Sequence, residues 1–145
     1  MWVGNAEGFS MIRSTKLKNL TLLWYRDMSA GNTGTTDRLF STNQTGFLAL
    51  GTDAYEWWYD PAAIKNEYQA ITKAGGFEVT VDDLDAYCED NVGWVMGRAV
   101  YQLPNEVKIS IRQSYILHQE GGEWNVVHVH GFVGVPNADI GSTLG

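Results

Sequence analysis

The chain has one cysteine, no cluster of lysine and arginine, and no long apolar run. Each shortage closes off a class of protein. Cys88 cannot form an intrachain disulfide, and no Cys–His spacing reads as a zinc site. Without basic neighbours it reads as a small buried residue rather than a nucleophile. The formal net charge is -7, so neither a nucleic-acid backbone nor an anionic membrane is an expected partner. No apolar stretch approaches the roughly 20 residues of a membrane span. The opening "MWVGNAEGFSMIRS" lacks the basic and apolar regions of a secretory signal. A soluble cytoplasmic protein is the default reading. Residues 1–11 are expected to be a flexible leader, with Met11 an alternative start, 12–140 the folded domain, and 141–145 a tail.

What is present is apolar and aromatic. Hydrophobic residues make up 44% of the 145 positions, and six are tryptophan. That length and composition fit one domain with a sizeable core. The indoles point to a large core, a ligand cavity or an aromatic interface. No internal repeat or low-complexity tract interrupts the chain.

Helical signals come first. Ser14 is a plausible N-cap, and Leu17, Leu20, Trp24 and Met28 then recur every three or four residues. "AGNTG" ends this helix, with Gly31 suited to its C-terminal turn. A short piece follows near 37–41, then a strand in "TGFLALGT" at 45–52. "DPAAIKNEYQAITKAGG" carries Asp60 as N-cap, Pro61 at the first helical position, and Gly75 past the end. Ile64, Tyr68 and Ile71 form its buried stripe. The remainder alternates as strands: "FEVTV", a segment through Cys88, and then 93–103, 106–119 and 123–135. Short joints make these antiparallel hairpins. Helices followed by a meander of strands define an α+β domain.

Strand parity then assigns faces. In 106–119 the odd positions Val107, Ile109, Ile111, Tyr115 and Leu117 are the more apolar, so they should cover the core. "EGG" reads as a three-residue turn pairing Gln119 with Glu123. Under that register the odd valines of the last strand join the core face. Trp124, His128, His130 and Phe132 then share the outer face with Arg112, Ser114, Ile116 and His118. A two-residue Gly-Gly turn inverts the assignment. So much apolar surface facing outward usually marks a partner surface, and these eight residues are therefore expected at a homodimer interface. A metal site at His128-x-His130 needs a third ligand that is not well placed nearby, so no metal and no cofactor are expected.

In 93–103, the large residues Trp94 and Met96 favour turning their side inward, which carries Arg98 into the interior. A buried Arg needs a carboxylate or an anionic ligand. Asp27, Asp53 or Asp60 are the structural alternatives. Gln113 and Tyr115 are polar groups aimed inward, and Trp24, Trp57 and Trp58 are available as walls.

Three stretches resemble the SnoaL-like branch of the nuclear transport factor 2-like superfamily: "LGTDAYEWW" at 50–58, "DNVGWVMGR" at 90–98, and "GEWNVVHVHGFVGVPNADI" at 122–140. The likeness covers 12–140. It implies a curved sheet wrapped around helices as a cone, a pocket at the open end, and dimers formed through the outer sheet face. Relatives include isomerases, dehydratases, polyketide cyclases, epoxide hydrolases, kinase association domains and pure binding modules, so fold alone does not give activity. The kinase association domains carry a pocket Arg in the strand equivalent to that of Arg98.

The expected function is a ligand-binding homodimeric domain with an accessory or sensory role, taking a small hydrophobic or anionic molecule. Its binding residues are Arg98, Trp94, Met96, Gln113, Tyr115, Trp24, Trp57 and Trp58. The enzymatic alternative is an isomerase, dehydratase or cyclase with Tyr115 as proton donor and Asp53 or Asp60 as base. The third alternative is an oligomerisation module alone.

Overall fold

A computed structural model describes residues 10–41, 45–139 and 141. The expected leader therefore falls outside the described residues up to position 9, and the expected tail from position 142. Among the described residues, no helix is long and apolar enough to cross a membrane.

Among the described residues, three α-helices pack on one face of a seven-stranded sheet. Strand β1 (Ile12–Arg13) leads into α1 (Thr15–Ser29) and α2 (Gly34–Leu39). Short strands β2 (Leu48–Leu50) and β3 (Trp57–Trp58) precede α3 (Pro61–Lys73). The long strands are β4 (Glu78–Glu89), β5 (Val92–Gln102), β6 (Lys108–Glu120) and β7 (Glu123–Phe132). Sheet order is β1-β4-β5-β6-β7-β2-β3. Strands β4 to β7 form the antiparallel meander, while β2 lies parallel to β7.

Local chemistry explains the helix ends. The Ser14 side chain accepts the Leu17 N–H at 3.1 Å, and Asp60 accepts from Ala62 N–H at 2.9 Å ahead of Pro61. Each satisfies an otherwise orphaned donor. Gly31 takes φ 79° just past α1, the left-handed turn that glycine adopts without a side-chain clash. On α1, Leu17, Thr21, Trp24, Tyr25 and Met28 are buried. They meet Val95, Tyr115, Leu117, Val126 and Val129 of the sheet in one core.

The parity expected for β5 is reversed. Val95, Ala99 and Tyr101 are buried, whereas Met96 is 43% exposed and Arg98 is exposed. At Gly93 and Gly97 strand β5 has no room for an inward side chain, because α1 closes on the first and β4 on the second. A Cβ added at Gly93 would stand 2.2 Å from Leu17 Cδ1, and one at Gly97 would stand 2.4 Å from the Asp83 carbonyl oxygen. The strand meets this by turning glycine, alanine and valine inward. Trp94, Met96 and Arg98 consequently face out, with Trp94 stacked on Tyr87.

The β6–β7 hairpin departs from expectation twice, and the departures cancel. Glu120 pairs with Glu123 across a two-residue turn, Gly121 and Gly122, both at positive φ. This is the tight hairpin turn that glycine pairs favour. It brings Trp124 and Val126 inward, and Trp124, expected on the outer face, is only 8% exposed. The register then slips between Ile116 and Leu117, leaving Val127 without a partner. This bulge restores parity, so His128, His130 and Phe132 pair with outward-facing Ile116, Ser114 and Arg112.

Candidate functional site

At the open end of the cone, α3, the β2–β3 loop and the far ends of β5 and β6 enclose a cavity of about 280 Å³. Its walls are mostly apolar: Trp58, Ile64 and Ile71 on one side, Phe77, Leu103, Ile109 and Ile111 on the other. Tyr68, Tyr101 and Gln113 bring polar groups into this lining, and Glu56 and Glu67 bring carboxylates.

A directed hydrogen-bond chain runs behind the floor. The Tyr25 hydroxyl donates to Gln113 Oε1 at 2.8 Å. Its proton is thereby committed, so Tyr115, 2.7 Å away, must be the donor in their contact. The Gln113 amide in turn donates to the Tyr101 hydroxyl oxygen. Tyr101 thus accepts from the chain, its own O–H donates to no group among the described residues, and the residue is part of the cavity lining. The Tyr68 hydroxyl, also in the lining, makes no hydrogen bond among the described residues.

Burial raises the pKa of Tyr25, Tyr68, Tyr101 and Tyr115, because the interior disfavours a phenolate. For Tyr101 the donated Gln113 bond opposes that rise. All four remain neutral donors at ordinary pH.

The β2–β3 loop fixes Glu56. Its Oε1 accepts from the Asp53 N–H at 2.9 Å, and Gly51 N–H donates to its backbone carbonyl at 3.0 Å. A Cβ on Gly51 would stand 2.7 Å from the Glu56 carboxyl carbon. Only glycine leaves this carboxylate its place.

Of the residues expected to bind ligand, Gln113 and Trp58 line the cavity. Tyr115 and Trp24 lie behind its wall, with Trp24 donating through Nε1 to Thr36 at 2.9 Å and edge-on to Tyr68 and Tyr115. Trp57 is 53% exposed against Tyr59. Trp94, Met96 and Arg98 lie across the sheet, away from the cavity. The two carboxylates expected as bases serve the backbone. Asp53 Oδ1 accepts from Tyr55 N–H at 2.9 Å, and Asp60 caps α3. Tyr68, Tyr101 and Glu56 were not among the expected site residues. Tyr68 carried a signal in the α3 stripe, and Tyr101 was obscured by the inverted β5 parity.

On the outer face, Arg112, Ser114, Ile116, His118, His128 and His130 stand together with Phe132. His128 Nδ1 is 2.9 Å from the Leu48 carbonyl oxygen. His118 Nδ1 lies 3.4 Å from a Glu120 oxygen without a hydrogen bond. Among the described residues, no three His, Cys, Asp or Glu side chains converge as a metal-ion site.

A curved sheet around helices with a lined cavity at its open end is the cone architecture of the nuclear transport factor 2-like proteins. Residues 17–136 match the SnoaL-like domain, and the chain belongs to that family. Solved structures of the same fold include a nuclear transport factor 2-like protein of unknown function from Pseudomonas putida (TM-score 0.68, 11% identity, 86% of this chain and 92% of that one). Another is an uncharacterised protein with a cystatin-like fold from Caulobacter vibrioides (TM-score 0.61, 13% identity, 88% and 94% covered). A third, from Streptomyces avermitilis, is provisionally described as a dehydratase (TM-score 0.64, 10% identity, 83% and 96% covered). Identities this low speak to fold alone. The curated proteins contain no match.

Proposed function

We propose that the protein binds a small, largely apolar molecule in the cone, with an oxygen acceptor on that molecule met by the Tyr101 hydroxyl. The observation that carries this reading is the hydrogen-bond chain ending at Tyr101 in a mostly apolar cavity. Convergent polar groups in an apolar hollow are the usual form of a small-molecule site. The lining includes two carboxylates and, among the described residues, no Lys or Arg. That composition favours a neutral ligand over an anionic one, because an anion here would be desolvated beside like charge. Titrating the wild type and Tyr101→Phe with a simple aryl ketone tests the reading. Binding weakened about tenfold by the lost hydroxyl is expected. Equal binding by both proteins would refute it.

A second reading is proton-transfer catalysis, as in an isomerase, dehydratase or cyclase. Its support is Glu56, a carboxylate held rigidly at the rim of a cavity that also contains two phenol donors. It predicts exchange of ketone α-protons for deuterium, lost in Glu56→Gln.

The outer sheet face is proposed to pair two copies of the chain. Its support is the exposure of Val92, Met96 and Ile116 around Trp94, a patch of the kind that marks an interface.

A further inference from the structure

The parity of β5 takes Arg98 out of the cone and sets it directly opposite Arg112 across the β5–β6 ladder. Like charges in that relation repel. Among the described residues, neither arginine makes an ion pair or hydrogen bond. Asp83 stands beside Arg98 in the β4 register without forming a bridge to it. An open cleft of about 470 Å³ collects Arg98, Arg112, Lys108 and Ser110 beside Val133 and Gly134. Three of the chain's ten Lys and Arg line it, and among the described residues no Asp or Glu does. On a protein of net charge -7 that is a marked local reversal of sign.

Arg112 is held in place. Its guanidinium lies 4.7 Å from the Phe132 ring centroid, a cation–π contact that fixes the planar group. A Cβ added at Gly134 would stand 2.9 Å from Arg112 Nη2, so Gly134 leaves room close beside the guanidinium. The next depression along the sheet is also lined by Arg98 and Arg112, but with Asp83 and Asp85. The acid-free cleft is the one suited to an anion.

We propose that this cleft is an oxyanion site, taking a phosphoryl group of a small molecule between Arg98 and Arg112, with Lys108 adding charge and Ser110 a hydroxyl donor. Guanidinium forks match the oxygens of phosphate in pairs, and a doubly charged group relieves the Arg–Arg repulsion. The arginines face away from the cavity, and Ile109 lies in the lining of both cavity and cleft.

Calorimetric titration with inorganic phosphate and pyrophosphate, at constant ionic strength set by chloride, tests the proposal. Saturable binding is expected, weakened about tenfold or more in Arg98→Gln and in Arg112→Gln. Gly134→Val should weaken it without removing charge, by displacing the Arg112 guanidinium. Lys16→Gln, a charge removed on α1, should leave it unchanged. Equal weakening by Lys16→Gln would mean that net charge alone was being read, and would overturn the site. Mass measured by light scattering supplies the other arm. If wild type binds neither anion while Arg98→Gln and Arg112→Gln convert dimers to monomers, the arginines pair with a second copy and the proposal fails.

Discussion

Leu117 stands opposite Val126, and the next pair along, Ile116 with His128, skips Val127. One unpaired residue decides what faces the second half of β7 presents. The Gly121–Gly122 turn sends Trp124 and Val126 into the core, and the bulge then returns the imidazoles to the outside. Deleting Val127 should force Val126 or His128 onto the wrong face. The expected loss is several kcal/mol, on the scale of removing or misplacing a large buried side chain, read as a lowered urea midpoint. Unchanged stability would mean that the hairpin re-registers without cost.

Gly97→Ala tests why β5 turns its large side chains outward. The added methyl meets the Asp83 carbonyl, which is backbone and cannot swing aside. A destabilisation of about 1–3 kcal/mol is expected from overpacking. A neutral result by thermal denaturation would show that the close approach of the β4 backbone does not set the parity.

Four of the seven tyrosines, Tyr25, Tyr68, Tyr101 and Tyr115, have pKa values raised by burial. In the unfolded chain the same phenols ionise near 10. Above that pH the unfolded state releases protons that the folded state keeps, so stability falls as pH rises. Denaturation midpoints should be flat up to about pH 9 and decline beyond it. Tyr68→Phe should make that decline shallower. A profile that is flat through pH 11 would contradict the burial of these hydroxyls.

Tyr25→Phe removes the donor to Gln113 Oε1 and the acceptor for Tyr115. Orphaned buried polar atoms typically cost about 1–3 kcal/mol. The variant should lose that much stability and also weaken ketone binding at Tyr101, while its edge-to-face ring contact with Tyr101 is kept. Loss of stability without any change in binding would uncouple the chain from the site.

The helices, the meander and the outward histidines were legible because caps, turn residues and alternation are local signals. The placement of His128 was nevertheless reached through the wrong turn: an expected three-residue loop gives the same parity as a two-residue loop plus a bulge. Trp124 exposes the difference, since only the second arrangement buries it. Arg98 stands opposite to expectation because side-chain size is no guide to the inward face of β5. In β5 the approach of Leu17 to Gly93 requires small residues there, a relation between positions 76 apart in sequence that alternation cannot show. Glu56 was hidden for a similar reason. Its position follows from loop closure against Gly51, and composition does not record that.

The cavity is the proposed ligand site, and its volume can be removed without touching its polar groups. Gly131 lines it, and a Cβ there would stand 3.8 Å from Ile111 Cγ2, an ordinary contact. Gly131→Leu should fill the hollow without unfolding the chain. The decisive measurement is methyl NMR during titration with acetophenone. In the wild type, saturable shifts at Ile64, Ile71, Ile109 and Ile111 are expected, and Gly131→Leu should abolish them while its spectrum stays folded. Shifts confined to the outer sheet face, or an identical titration in Gly131→Leu, would contradict the account.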